Sequence, residues 1–412
     1  MTNSRQVKLA DCVDLLSGFA FKSAQFTDQS NDVALVKGEN VSQGRVLWDI
    51  SKRWALADWE KFEKFQLAVG DVVIAMDRPW VPAGLKWCFI RDHDPKALLV
   101  QRCCRLRAKP DLMDQTFLRC VIGGPSFEGY IKPITTGVNI PHISGRQILD
   151  YDFPLPPLPT QRKIAGILSA YDDLIENNLR RIKILEEMAQ SLYREWFVHF
   201  RFPGHESATF KDSELGRIPE GWEVKAASHI SQITIGKTPP RKESQWFTNS
   251  TEGIPWISIR DMNQGRFVLN TSEGLTGEAV SKFNVKRVPE GTVLLSFKLT
   301  VGKVCVTVGE MLTNEAIAHF HLANGSAITP AYLLAYLSNF EFETLGSTSS
   351  IGRATNSQVI KKMPILAPPP GILATFNQLA EPSYSSVRSL MQRNQILCRT
   401  RDLLLPKLLS GS

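Results

Sequence analysis

The chain has 412 residues, more than a single hydrophobic core usually supports, so two or more domains are expected. Hydrophobic residues make up 43% and charged residues 22%, with mean hydropathy −0.12, a balance that excludes a disordered, low-hydrophobicity chain. A net charge of +7 and a pI near 9.0 fit a polyanionic partner. No apolar run approaches the roughly 18 residues of a membrane helix, and Met1 to Leu16 lacks the apolar core of a signal peptide. The seven cysteines are scattered, with no Cys-x-x-Cys pair and no histidine at zinc spacing. They read as small buried apolar residues of a protein in a reducing cytoplasm, with no metal site.

In chain order, Leu15-Leu16-Ser17-Gly18-Phe19-Ala20-Phe21-Lys22 opens a first globular region. The stretch Val33 to Val46 follows, with Lys37 and the pair Gly44-Arg45, and it has a counterpart in Ile254 to Phe267, with Arg260 and Gly265-Arg266. The two Gly-Arg pairs stand 221 residues apart. Val69 to Ile74 and Glu290 to Leu295 keep that offset, each a turn glycine followed by a strand-forming run. Gly84 to Cys88 resembles Gly302 to Cys305 at an offset of 218, so loop lengths differ. Asp152-Phe153-Pro154-Leu155 resembles Lys362-Met363-Pro364-Ile365 at an offset of 210. The chain is an internal repeat.

Each copy ends in a proline run and a long helix. Pro154 to Pro159 leads, with Thr160 as N-cap, into a helix reaching Phe200. Its seam is Ile164, Ile167, Leu168, Tyr171, Leu174, Ile175, Ile182, Leu185, Met188, Leu192 and Trp196. Trp196, Phe197 and Phe200 are expected to pack on the second globular region. Pro368 to Pro370 leads into a second helical stretch, Gly371 to Leu409, in which Pro382 is expected to cause a kink or break near Ala380. So narrow a seam needs a partner, and the two stretches are each other's nearest, as an antiparallel coiled coil with an internal pseudo-twofold. A single long core helix inside one large domain is the plainer alternative. The expected fold is mixed α+β: globular α/β regions at 1–153 and 205–366, each followed by a proline run and spacer helix, at 154–204 and 367–412.

On these residues the chain resembles the specificity subunit of type I restriction-modification enzymes. The resemblance rests on Pro154 to Ala165, Leu15 to Lys22, Gly236-Lys237-Thr238-Pro239 and Arg401 to Gly411, in this duplicated order. The second copy departs at Pro370 to Ala374, which lacks the Gln-Arg-Lys of the first. The resemblance implies two target-recognition domains that read a bipartite, asymmetric DNA site. It also implies two modification subunits carrying S-adenosylmethionine, and restriction subunits using ATP and Mg. It implies no cofactor in this chain.

Strings that mimic catalytic motifs fail on context. Gly236-Lys237-Thr238 lacks the first glycine of a phosphate loop, since position 231 is Ser231, and Pro239-Pro240 follows where a helix should begin. Asp77-Arg78-Pro79-Trp80 departs from the amino-methyltransferase motif at Arg78 and has no glycine-rich cofactor loop. Glu220 and Glu223 with Lys225 lie too close in sequence for a nuclease carboxylate pair. The alternative to a reader is a methyltransferase or nuclease with its own active site. A structural adaptor that never touches DNA is a third reading.

Basic, hydroxyl and amide residues in loops suit phosphate and base-edge contact. In the first copy the candidates are Lys22, Lys37, Arg45, Arg78, Trp80, Thr136, Asn139, His142 and Arg146. In the second they are Lys237, Arg241, Lys242, Arg260, Arg266, Lys298, Thr300, Arg353 and Asn356. The charged outer face of the first helix, with Arg180, Arg181 and Lys183, reads as a solvated face, a dock for modification subunits, or a phosphate contact.

Overall fold

The computed structural model describes residues 4–81, 84–137, 141–249, 251–298, 300–345 and 356–410. The chain forms two compact units, Met1–Ile175 with Ile396–Ser412, and Glu176–Gln395. Each long helix therefore contributes to both.

The first unit is built on a four-stranded antiparallel sheet, Trp87–Phe89, Val72–Ala75, Cys103–Ala108 and Val13–Ser17 in spatial order. The second has the same order in Val304–Thr307, Val293–Ser296, Ile317–Leu322 and Ser231–Ile235, with Phe267–Val268 added at the edge. A smaller sheet accompanies each. In the first unit Ala97–Leu99 runs parallel to Val33–Val36, and in the second Leu312–Thr313 runs parallel to Ile254–Ile257. The strands Val72–Ala75 and Val293–Ser296 are buried on both faces, which is why the sequence there is a continuous apolar run rather than an alternation. Val72 and Ile74 enter one core while Val73 and Ala75 enter another. Val293 and Leu295 divide from Leu294 in the same way. The glycine before each strand, Gly70 (φ +88°) and Gly291 (φ +78°), takes a left-handed turn that a side chain would strain.

The repeat closes with a strand that returns to the start of each unit. Asp152–Leu155 pairs with Arg5–Lys8, and Pro364–Ala367 pairs with Glu223–Ala226. The Leu9 N–H donates to Tyr151 O, and the Ala227 N–H donates to Met363 O, both at 2.9 Å. Tyr151 and Met363 are 212 residues apart, so the offset of 210 read from the matched prolines is corrected by two. Structural position 152, not 154, corresponds to Pro364.

The first spacer helix is Leu158–Tyr193, 36 residues and about 54 Å long. It begins two residues before Thr160, whose N–H donates to Pro157 O at 2.9 Å inside the first turn, so Thr160 is not the cap. A π-helical turn, Arg194–Val198, ends it. As expected, Trp196 and Phe197 pack in the second unit, with the Phe197 ring 5.7 Å from Trp222 and 5.0 Å from Tyr332. The seam is tighter than the sequence pattern. Ile167, Leu174 and Met188 are exposed, and Ala165, Asn178 and Ala189 are buried in their stead.

The second spacer helix is Pro370–Ser410, and it runs through Pro382 without a break. At the corrected offset Pro382 matches Ala170 on the exposed face. Gln378, whose carbonyl loses its partner at Pro382, is exposed too, so the missing bond falls on the solvent face of the helix. The buried seam of Phe376, Ala380, Tyr384 and Val387 continues past the proline.

The helices pair antiparallel in each unit. In the second, Asn178 Nδ2 donates to Asn394 Oδ1 at 2.8 Å, and the Tyr193 and Phe376 rings are 6.4 Å apart. In the first, Arg401 Nη1 donates to Asp172 Oδ1 at 2.7 Å, and Leu405 enters the core with Ile164 and Leu168. Arg119, on the helix Gln115–Ile122, places Nη2 3.0 Å from Asp172 Oδ2. Burial lowers the Arg401 pKa, but the Asp172 and Asp402 carboxylates outweigh it and hold it above its ordinary value.

Each globular region is also tied to its spacer helix by a buried amide. Gln161 accepts from the Asp114 N–H at 2.9 Å and donates to Leu112 O and Pro156 O at 3.0 and 2.8 Å. In the second unit Asn377 accepts from the Thr329 hydroxyl at 2.7 Å. Asp114 and Thr329 are the N-caps of equivalent helices. The Gln-Arg-Lys missing from the second copy is thus replaced, for its glutamine, by an asparagine elsewhere on the helix. All seven cysteines are free thiols, six of them buried; burial raises Cys12 to about 11 and Cys104 and Cys120 to about 12.

Candidate nucleic-acid interface

Strand Val13–Ser17 ends at Gly18, whose N–H donates to Cys103 O at 3.0 Å, and the next N–H, of Phe19, donates to Leu99 O at 3.0 Å. Strand Ser231–Ile235 ends at Gly236, which donates to Ile317 O at 3.2 Å, and Lys237 donates to Thr313 O at 3.0 Å. A Cβ at Gly18 would lie 2.2 Å from Val100 O, and one at Gly236 would lie 2.2 Å from Asn314 O. Only glycine permits either approach. A third segment joins by one more shared bond: the Met76 N–H donates to Arg102 O at 2.8 Å, and the Phe297 N–H donates to Ala316 O at 2.9 Å. The same three-segment platform therefore stands in both units, with different side chains on it. The first unit presents Phe19, Asp77, Gln101 and Arg102 where the second has Lys237, Lys298, Glu315 and Ala316.

In the first unit a fourth segment closes over the platform. The Arg78 N–H donates to Pro141 O at 2.7 Å and the Ile143 N–H to Met76 O at 2.8 Å. Thr136 and His142 exchange backbone bonds at 3.0 and 2.7 Å. His142 Nδ1 lies 2.5 Å from Asp77 Oδ1, and Arg102 Nε lies 3.2 Å from Asp77 Oδ2. Arg78 (φ +46°) and Arg102 (φ +68°) both hold left-handed backbone. Arg78, Thr136 and His142 are thus brought together. Trp80 stands half-buried on the short strand Trp80–Val81. Lys22, Lys37, Arg45 and Arg146 stand on other segments. Lys37 is paired with Glu39 at 2.8 Å, and Arg146 lies 3.6 Å from Asp150. Asn139 lies outside the described residues.

In the second unit Lys237 O accepts from Trp256 Nε1 at 3.2 Å. The Arg241 guanidinium lies over the Phe247 and Trp256 rings, 4.4 and 4.7 Å from their centroids, and Nη1 is 2.9 Å from both Glu273 oxygens. Lys237 and Arg241 therefore meet at Trp256. Thr238 donates to Glu315. Lys298 and Thr300 follow the platform's third segment, with the Thr300 N–H donating to Lys298 O at 2.7 Å. Lys242 and Arg260 are exposed nearby in sequence. Two candidates carry structural bonds. Arg266 is half-buried and donates to Ser338 Oγ at 2.8 Å, and burial raises neighbouring Glu186, with Arg266 opposing that rise. Asn356 caps the helix Ser357–Lys362, accepting from the Gln358 and Val359 N–H groups at 2.9 and 3.0 Å. Arg353 lies outside the described residues.

Beneath the second platform runs a buried polar chain. Thr313 Oγ1 is 2.6 Å from His319 Nε2, His319 Nδ1 is 2.9 Å from Thr234 Oγ1, and that hydroxyl is 2.8 Å from His321 Nε2. Burial, then the neighbouring His321, lowers the His319 pKa to about 3, so the ring is neutral. Sequence reasoning missed this chain, and it missed Phe19, Asp77, Gln101, Arg102 and Glu315. The available signal was the pair Gly18 and Gly236, 218 residues apart, each ending a strand.

A family model described as the type I restriction modification DNA specificity domain matches residues 1–187 and 219–375. The chain belongs to this family. The matched ranges contain both platforms and most of the first spacer helix. Among similar DNA specificity proteins, the MjaIX type I restriction enzyme specificity subunit of Methanocaldococcus jannaschii is 26% identical over 68% of this chain and 65% of its own length. The HindI specificity subunit of Haemophilus influenzae is 25% identical over 66% of this chain and 71% of its own. The chain thus spans slightly under two thirds of the first of these relatives. A crystal structure of the S subunit of a type I restriction-modification system from M. genitalium shares the fold, with a TM-score of 0.58 at 15% identity, over 99% of this chain and 96% of that one. No helix among the described residues is long and apolar enough to cross a membrane.

Proposed function

We propose that this chain is the DNA-reading subunit of a type I restriction-modification complex, and that it recognises a split, asymmetric site with one half per globular region. The observation that carries this is the duplicated platform: one backbone arrangement built twice in one chain, bearing Arg102 and Asp77 in one copy and Lys237 and Lys298 in the other. Identical frames with unlike side chains suit two different half-sequences. The chain acts without a catalytic site of its own. Methyl transfer to adenine belongs to two modification subunits carrying S-adenosylmethionine, and those enzymes flip the base out of the stack. Cleavage and translocation belong to restriction subunits using ATP and Mg. The complex works in the cytoplasm.

The spacer helices serve as the dock. Ile167 and Leu174 are 45% and 53% exposed in the first unit, and Ile184 and Met188 are 55% and 58% exposed in the second. Apolar side chains left outside a seam suit a partner subunit.

The test is reconstitution with the modification subunits and genome-wide mapping of methylated adenine. A split motif with unlike halves is expected, together with DNA affinity that falls steeply with salt as phosphate counterions are released. A continuous motif, or tight S-adenosylmethionine binding by this chain alone, overturns the proposal.

A further inference from the structure

We propose that Arg102 reads a guanine in the half-site of the first unit, with Asp77 as its positioning residue; this rests on the DNA-reading role argued above. Left-handed backbone at a non-glycine residue is costly and persists only where its surroundings enforce it. At Arg102 they do. Its carbonyl accepts from Met76 at 2.8 Å, and the preceding Gln101 N–H donates to Phe19 O at 2.7 Å. The outcome is an arginine whose side chain is 67% exposed but whose base is fixed at the junction of three segments.

The guanidinium is also aimed. Nε lies 3.2 Å from Asp77 Oδ2, a carboxylate whose side chain is only 22% exposed and whose other oxygen is taken by His142 Nδ1 at 2.5 Å. That contact uses one edge of the fork and leaves the Nη1 and Nη2 pair for a base edge. An arginine buttressed by a carboxylate is poorly suited to phosphate, because the carboxylate repels the same anion. Base edges carry no net charge, and the two acceptors of guanine, O6 and N7, match the arginine fork. The second platform lacks the device, since Ala316 stands in place of Arg102 and Lys298 in place of Asp77. The contact belongs to one half-site only.

The experiment uses the complex of this chain with its modification subunits and duplexes permuted at every position of both half-sites. Arg102→Gly removes the side chain while keeping the backbone, because glycine adopts φ +68° without strain. Discrimination at one G·C position of the first half-site is expected to fall roughly ten- to a hundredfold. The second half-site and the salt slope stay as they were. Arg102→Lys relaxes the same position, because an ammonium cannot form the fork. Asp77→Asn relaxes it too and leaves non-specific affinity no weaker, which loss of folding would not do. Three results overturn the proposal: unchanged specificity, relaxation at a position that is not G·C, or uniform weakening with a shallower salt slope that Arg102→Lys restores. The last marks a phosphate contact. A wild-type complex with no preference in the first half-site overturns the DNA-reading role itself, and the proposal with it.

Discussion

His319 shows how a single buried ring is tied to pH. Its folded pKa of about 3 lies below the ordinary 6.5, so the unfolded chain binds a proton over that window and the folded chain does not. The contribution to stability is complete above pH 6.5 and is lost as pH falls towards 3. By pH 5 the loss from this group is about 2 kcal/mol. Urea unfolding midpoints at pH 7 and pH 5 should separate clearly in the wild type and less in His319→Gln. Equal separations in the two would show that another group governs the acid side. At this scale the sequence was least legible. Lys237, Arg78 and His142 stood out as loop residues beside glycine or proline, and the fold does bring Arg78 and His142 together. Arg102 carried no such mark. It sits before a pair of cysteines, and its interest comes from a φ angle and from Asp77, 25 positions away in the sequence. Arg266 and Asn356 had the right chemistry, but whether their groups face a helix or solvent is decided by packing that no local pattern encodes.

Among the elements, the long helices were the most legible, because seam spacing and proline runs act locally. Their ends came within a few residues. The effect of Pro382 was misjudged because a proline on a wetted face loses one hydrogen bond and little else, while the packed seam opposite carries the helix through. The repeat offset was misread by two for a related reason: two prolines look alike in sequence, but strand pairing sets the register. The junction of globular region and spacer helices makes a prediction of its own. Asp172 stands between Arg119 and Arg401, with side chains 20%, 10% and 30% exposed, so its removal strands Arg119 and leaves Arg401 to Asp402 alone. Asp172→Ala should cost roughly 2–4 kcal/mol. Denaturant titration would show it, and Asp172→Ala combined with Arg401→Met should recover part of the loss. A loss below 0.5 kcal/mol, in the range of a surface ion pair, would mean the cluster is wetter than its exposure indicates.

For the whole molecule, duplication was the readable feature, and it carried the fold class. What duplication hides is divergence: the two units share strand order and platform bonds while their loops and site chemistry differ. The proposed reading of one half-site per unit makes a prediction at this scale. Replacing residues 1–153 with the matching region of a relative should change one half of the methylated motif and leave the other intact. Sequencing methylated adenines in cells carrying the chimaera checks this, and a change in both halves would contradict independent readers.

The bridge from Asp172 to Arg401 breaks the symmetry of the repeat. A tandem repeat of this kind has the symmetry of a homodimer, in which every contact is made against a copy of the same surface. At the offset of 212, Asp172 matches Tyr384 and Arg401 matches Ala189, both in the apolar core of the second unit. Two copies of the first half would set Asp172 against Ala189. Two copies of the second would set Arg401 against Tyr384. Asp172 would keep Arg119 and Arg401 would keep Asp402, so what either symmetric pair forfeits is the single bridge between the helices, and that bridge is a bond only unlike halves can make.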